Sequence, residues 1–172
     1  MLNDLLQLLG AAIWFILPAY VANATPVVLG GGVPIDGGKL FTDGRPIFGA
    51  GKTIRGFVAG LVAGSIVGVL QGVVVGQPCT YAMLGLLLAL GALVGDLLGS
   101  FIKRRLNIPR GGAAPVLDQL GFVVFALLFA SPVMLPMLPG WEVILIILII
   151  TPPIHLATNF VGYKLGFKSR PY

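Results

Sequence analysis

Long apolar runs separated by short polar breaks divide the chain, at roughly Leu5 to Ala22, Gly56 to Gly76, Cys79 to Ile102, Val116 to Met137 and Trp141 to Tyr163. About 20 consecutive apolar residues cross a bilayer. The pattern therefore predicts an all-α membrane protein of five transmembrane helices, forming a single domain over 1–172. Two breaks, Gln77-Pro78 and Pro139-Gly140, are so short that the helices they join must be antiparallel hairpins. The break from Asn23 to Arg55 is different in kind. It is long, rich in Gly and Pro, and without a strong period, so an ordered loop with a function of its own is expected there. The first run is preceded by Asn3 and Asp4 and lacks a small-residue cleavage site, which reads as a retained span rather than a signal peptide.

Composition sharpens this picture. With 57% hydrophobic and 10% charged residues, the chain departs far from the quarter or so charged residues of a soluble domain. Its glycines and prolines read as packing and hinge positions between closely approaching helices. The one cysteine, Cys79, excludes an intrachain disulfide framework and a cysteine metal site. The 11 basic residues fall in three segments. Lys39, Arg45, Lys52 and Arg55 lie in the first loop; Lys103, Arg104, Arg105 and Arg110 in the third; Lys164, Lys168 and Arg170 in the tail. Five spans put those segments on one side, which the positive-inside rule makes cytoplasmic, with the N-terminus outside a multi-pass cell-membrane protein. The net charge of +5 is then a concentrated cytoplasmic field suited to anions or anionic lipid headgroups, or simply the orientation signal.

Within that field, Asp96 and Asp118 sit in or beside apolar helices, where carboxylates are costly and mark function. Asp96 lies about 10 Å below the inner end of the third helix by helical rise. Ser100 at i+4 and Lys103 at i+7 share its face. Asp118 lies in the first turn of the fourth helix, at similar depth. Two readings follow: a Mg²⁺ site, since Mg²⁺ is usually held by one or two carboxylates plus substrate phosphates, or internal salt bridges to Lys103 or Arg104. The sequence Gly51-Lys52-Thr53 suggests a P-loop, but Pro46 stands where that motif needs glycine and no strand precedes it. What survives is that Lys52-Thr53 and Pro115 open two helices whose N-terminal N–H groups point toward one pocket, an arrangement suited to phosphate. Lys52 and Arg55 are phosphate ligands on this reading and interfacial snorkelling residues on the other. On the fifth run His155, Asn159 and Tyr163 form a polar stripe, matched by Tyr20 and Asn23 on the first. Such a stripe serves either substrate contact or interhelical hydrogen bonding.

Taken together, Pro34-Ile35-Asp36-Gly37-Gly38, Gly49-Ala50-Gly51-Lys52-Thr53-Ile54-Arg55-Gly56, Gly95-Asp96, Ser100 to Arg105, Leu117-Asp118-Gln119-Leu120-Gly121-Phe122 and His155 through Asn159 to Tyr163 resemble the archaeal CDP-archaeol synthase family. The resemblance covers nearly the whole chain, and that family is itself similar to a short form of the CDP-diacylglycerol synthases. It implies a Mg²⁺-dependent cytidylyltransferase that joins CTP to an unsaturated prenylated glycerol phosphate lipid in the bilayer and releases pyrophosphate. No nucleic-acid partner is expected. On this resemblance Asp96 and Asp118 are the expected metal ligands, and Lys103, Arg104, Lys52 and Arg55 clamp phosphates. Thr53, Asn23, Asp36, Ser100, Gln119, His155 and Asn159 complete the expected binding set, with Asp36 and Asp43 either adding a ligand or holding the loop.

The chain departs from the longer synthases. Their signature continues from a Lys-Arg pair to Lys-Asp, Gly-His-Gly-Gly and Asp-Arg, where this sequence has Pro109-Arg110, Arg110-Gly111-Gly112 and Asp118-Gln119. The competing functions are a CDP-alcohol phosphotransferase, whose Asp-Gly-x-x-Ala-Arg core Asp43-Gly44-Arg45 does not match, and a small transporter. Transporters place polar sites near the midplane, whereas the polar residues here crowd one face.

Overall fold

A computed structural model describes residues 2–137 and 140–171. It contains five helices: α1 (Leu2–Leu29), α2 (Ile54–Val74), α3 (Pro78–Arg105), α4 (Pro115–Met134) and α5 (Trp141–Lys164). All five are long and apolar enough to cross a membrane. The expected turn at Gln77-Pro78 is present, with Pro78 opening α3; Pro139 of the other lies outside the described residues. α4 stops at Met134 rather than Met137, where the amide of Met137 bonds back to the Met134 carbonyl.

The largest departure from the sequence pattern is at the end of α1, which continues through Pro26 to Leu29 instead of stopping at Ala22. Each internal proline removes the donor for the carbonyl four residues earlier, and in a membrane helix a neighbouring helix can make good the loss. Both freed carbonyls on α1 face α2. The Trp14 carbonyl freed by Pro18 accepts the Gln71 side-chain amide at 2.6 Å, and the Ala22 carbonyl freed by Pro26 packs against Gly60.

Close approach of α2 follows from Gly56, Gly60, Gly64, Gly68 and Gly72, which recur every fourth residue and are all buried. A Cβ built on Gly68 lies 2.6 Å from the Gly85 Cα of α3, and one built on Gly64 lies 2.7 Å from the Pro18 carbonyl of α1. α2 thus packs in the groove between α1 and α3, over a small cluster of Ala22, Ala89 and Leu93. The main core, including Ile16, Leu88, Val123 and Ile147, lies among α1, α3, α4 and α5. α3 contacts α1, α2 and α4, while α5 closes the bundle against α1 and α4.

The loop between α1 and α2 is ordered, as expected. Antiparallel bridges join Pro34 to Thr53 and Leu40 to Pro46. Arg45 Nη1 donates to the Arg105 carbonyl at 2.5 Å, satisfying the C-terminus of α3. Arg105 in turn donates to the Pro46 carbonyl at 2.6 Å and lies over the rings of Phe41 and Phe101, at 4.7 and 4.8 Å from their centroids. Its Nη1 is 3.2 Å from the Asp43 carboxylate. These reciprocal contacts fasten the loop to the basic end of α3.

Candidate active site

The end of α3, the start of α4, the last loop residues and the end of α5 meet at the basic end of the bundle. Lys52 reaches from the loop to Asp96 on α3, Nζ to Oδ2, at 2.5 Å. Lys103 on α3 donates to both oxygens of Asp118 on α4, at 2.9 and 3.0 Å. Asp118 also accepts the backbone N–H of Ala114, at 2.9 Å, just ahead of the helix it belongs to. The ion-pair alternative read from sequence is therefore present for Asp118. Asp96 pairs across to the loop instead of along its own helix. Both carboxylates remain about one-third exposed, at 32% and 30%, so incoming ligands can reach them.

Among the described residues no three His, Cys, Asp or Glu side chains cluster tightly enough to form a complete metal cage. Asp96 and Asp118 are the candidate donors, each already paired with a lysine. That set is poor for Zn²⁺, which takes four protein ligands in structural sites and three in catalytic ones. It fits Mg²⁺, which retains waters and takes its remaining oxygens from phosphates.

On α5, His155 lies against the Phe122 ring with centroids 5.9 Å apart and is within electrostatic reach of Asp118, Asp96, Lys103 and Lys168. The Asn159 side-chain nitrogen is 3.4 Å from its Nδ1. Asn159 is buried, and its Oδ1 accepts a 2.6 Å hydrogen bond from Lys168. The stripe ends there, because Tyr163 is exposed. Tyr20 is spent inside the bundle on Thr151, at 2.7 Å. Ser100, Gln119 and Asn23 are half-buried, and their side chains make no hydrogen bonds among the described residues.

Arg104 supplies a further cation. Its Nε is buried without a hydrogen-bond partner among the described residues. A Cβ built on Gly49 lies 3.6 Å from its Nη1, and one built on Gly51 lies 3.2 Å from Arg110 Nε. The glycines just ahead of Lys52-Thr53 thus make room for two arginines. Gly49 also has φ +93°, a left-handed conformation that favours glycine.

Three expected binding residues are placed elsewhere. Asp36 is buried, and its carboxylate accepts the backbone N–H groups of Gly38, Phe48 and Gly49 at 2.9, 2.9 and 3.0 Å. Burial alone pushes its carboxyl up, but these donors outweigh that and hold it below the usual carboxylate range. It holds the loop. Thr53 is the N-cap of α2, its Oγ1 accepting the Gly56 N–H at 3.2 Å, while the Ile54 N–H goes to the Val33 carbonyl. The start of α2 therefore offers a phosphate far less than expected, because the loop has already satisfied it. Arg55 points away from the carboxylates, donating to the Leu29 carbonyl at 2.9 Å and to that of Gly30. It caps the C-terminus of α1.

Lys168 was legible only as part of the charge asymmetry. Its placement depends on Gly166, whose φ of +78° reverses the chain after α5 so that the Phe167 and Lys168 amides both bond to the Gly162 carbonyl. A glycine just past the last helical turn is the sequence sign of such a reversal.

The family model described as "CarS-like: CDP-archaeol synthase" matches residues 5–172. A CDP-archaeol synthase of Pyrococcus horikoshii is 53% identical over 99% of both chains. One from Methanococcus aeolicus is 50% identical over 90% of this chain and 91% of its own. A solved structure, described as an intramembrane enzyme for archaeal membrane lipids biosynthesis, superposes with a TM-score of 0.75 at 45% identity, covering 86% of this chain and 92% of that one.

Proposed function

The chain belongs to the CDP-archaeol synthase family, and on that premise we propose that it transfers the cytidylyl group of CTP to 2,3-bis-geranylgeranylglycerol 1-phosphate. Its activity is CDP-archaeol synthesis, a transferase step in archaeal membrane lipid biosynthesis. In the proposed reaction an oxygen of the lipid phosphate attacks the α-phosphorus of CTP. A new P–O–P linkage forms, the bond between the α- and β-phosphates breaks, and pyrophosphate leaves with the electron pair. A phosphomonoester has a second pKa of about 6, so the nucleophile is largely ionised near neutral pH and needs no dedicated base. What the protein must supply is positioning and charge.

The observation that carries this reading is the pairing of each partly exposed carboxylate with a lysine, at the end of the bundle where Arg104 and Lys168 add further positive charge. Asp96 and Asp118 would hold Mg²⁺, which supplies neutralisation of the triphosphate and its leaving group. Lys52 and Lys103, paired with those carboxylates in the free protein, are within side-chain reach of the same anions. Arg104 reaches them from beneath the Gly49 turn. The basic end faces the cytoplasm, where CTP is available, and the prenyl chains stay in the inner leaflet.

The test is transfer of label from CTP into lipid by purified protein with Mg²⁺ and the ether-lipid phosphate. Asp96→Asn and Asp118→Asn should each lower turnover by about 100-fold or more, the loss of several kcal/mol of charge stabilisation. Unchanged turnover in either variant would remove that residue from the metal site. No transfer to any prenylated or acylated glycerol phosphate would remove the proposed reaction.

A further inference from the structure

The two lysines nearest the candidate metal ligands are already neutralised: Lys52 by Asp96 and Lys103 by Asp118. Lys168 is held differently. Its one hydrogen-bond partner among the described residues is the side-chain oxygen of Asn159, which carries no charge. An ammonium has three N–H donors, so two remain without a protein acceptor. The side chain is not loose. Its stem crosses Gly162, where a built Cβ lies 3.7 Å from Lys168 Cγ and Cδ, and the backbone beneath it is pinned to the Gly162 carbonyl. The chain has therefore turned back on itself to hold a positive charge that has no ion-pair partner among the described residues, within electrostatic reach of Asp96, Asp118, Lys52 and Lys103.

We propose that Lys168 is an anion-binding residue of this site, donating to a phosphate oxygen of either the nucleotide or the lipid, and that the reversed tail is the element that presents it. The proposal rests on the transferase reading only for the identity of that anion. The electrostatics agree. Burial first, then the Lys52 charge, push the Lys168 ammonium below the ordinary lysine range, against the opposing pull of Asp118 and Asp96. An incoming phosphate reverses that balance.

A lysine near a helix C-terminus also interacts favourably with the helix dipole, and the experiment separates that structural role from anion binding. Full-length protein in detergent is compared with Lys168→Met and Lys168→Arg by equilibrium binding of inorganic tripolyphosphate and of CTP, by KM for the lipid phosphate, and by melting temperature. Loss of a hydrogen bond to a charged group predicts about 10- to 100-fold weaker binding in Lys168→Met, with Lys168→Arg within about threefold of the parent. Weakened CTP binding assigns the contact to the nucleotide. A raised lipid KM with CTP binding intact assigns it to the lipid. Lys168→Met with both constants within about threefold of the parent overturns the proposal, whatever its melting temperature. Should Lys168→Met fail to fold, Asn159→Asp carries the test. That change gives Lys168 a carboxylate partner and should weaken the same binding; unchanged binding overturns the proposal. A parent protein that binds tripolyphosphate in a Lys168-dependent way but transfers no CMP leaves Lys168 in place and removes the transferase reading instead. A parent protein that binds neither anion removes both.

Discussion

Replacing Asp36 tests whether this carboxylate belongs to the loop or to the metal. Asp36→Ala removes an acceptor that serves three backbone donors, from Gly38, Phe48 and Gly49. A hydrogen bond to a charged group contributes about 1.5–3 kcal/mol, and a buried donor left unpaired costs about 1–3 kcal/mol. Gly38 is exposed and water replaces its partner, whereas Phe48 and Gly49 are half-buried. Counting those two donors at the lower end gives about 3 kcal/mol, or roughly 100-fold in a local opening equilibrium. Hydrogen exchange resolves such local openings. The Phe48 and Gly49 amides should exchange about 100-fold faster in Asp36→Ala, with core amides around Leu88 unchanged. Because the same loop carries Lys52 to Asp96, turnover should fall too, with unaltered dependence on Mg²⁺ concentration. Asp36→Asn can keep its amide oxygen at the Oδ2 position, where it still accepts from Phe48 and Gly49, and turn its NH2 toward exposed Gly38, so it should restore much of the protection of those two amides. Unaltered exchange together with a higher Mg²⁺ requirement would falsify the structural role and make Asp36 a metal ligand.

The same carboxyl gives the loop an acid limit. Its folded pKa is depressed, so its contribution is complete above the unfolded value of about 3.9 and is lost as pH falls through the folded value. Loop protection measured by proteolysis should therefore hold from pH 7 to about pH 4 and decay below, while Asp36→Asn shows no such step. Arg55→Gln loses the guanidinium that satisfies the Leu29 and Gly30 carbonyls at the end of α1 and should lower the melting temperature while CTP affinity stays unchanged. A large loss of affinity would return Arg55 to the phosphate site.

The helical framework was legible because apolar runs and basic clusters are direct readouts of the bilayer: spanning length fixes the helices, and charge fixes which ends meet. Asp96, Asp118 and Lys103 were legible in position for the same reason, as charged groups in or beside apolar helices that are neighbours. The loop was read less well. Its glycines and its Lys-Thr pair look alike whether they cradle phosphate or admit arginine side chains, and only the positions of Arg104 and Arg110 decide between these. Asp36, Thr53 and Arg55 carry the right chemistry for ligands, but backbone groups hidden from any sequence pattern had already claimed them. The apolar pattern ends the first span at Ala22, whereas α1 runs on through Pro26 to Leu29 and packs there against Gly60, far along the chain. Lys168 reaches the site only through the tail reversal at Gly166.

On the proposed reaction, glycine packing on one side of α3 sets the spacing of Asp96 and Asp118 and on the other only stability, and two matched substitutions test this. A Cβ on Gly95 lies 2.8 Å from the Gly121 carbonyl and 2.9 Å from the Phe122 Cα, both backbone atoms of α4. A Cβ on Gly68 meets the Gly85 Cα and the Tyr81 carbonyl of α3, at 2.6 Å each. Neither clash can be relieved by turning a side chain, so a helix must move by about half an ångström or more, and overpacking of this kind costs about 1–3 kcal/mol. The consequences differ because of what rides on each helix. Moving α4 carries Asp118 away from Lys103 on α3 and from the Asp96 face, whereas moving α2 presses on a helix contact remote from both carboxylates. Misplacement by about 1 Å at a reacting centre can cost 100-fold. Gly95→Ala should accordingly lower kcat about tenfold, and Gly68→Ala should leave kcat near the parent value, while both lower the melting temperature by several degrees. Gly10→Ala, where a Cβ meets nothing within 4 Å, controls for the substitution itself and should be neutral or stabilising. Equal losses of kcat in Gly95→Ala and Gly68→Ala would mean that bundle stability in general, rather than the α3–α4 spacing, governs the site.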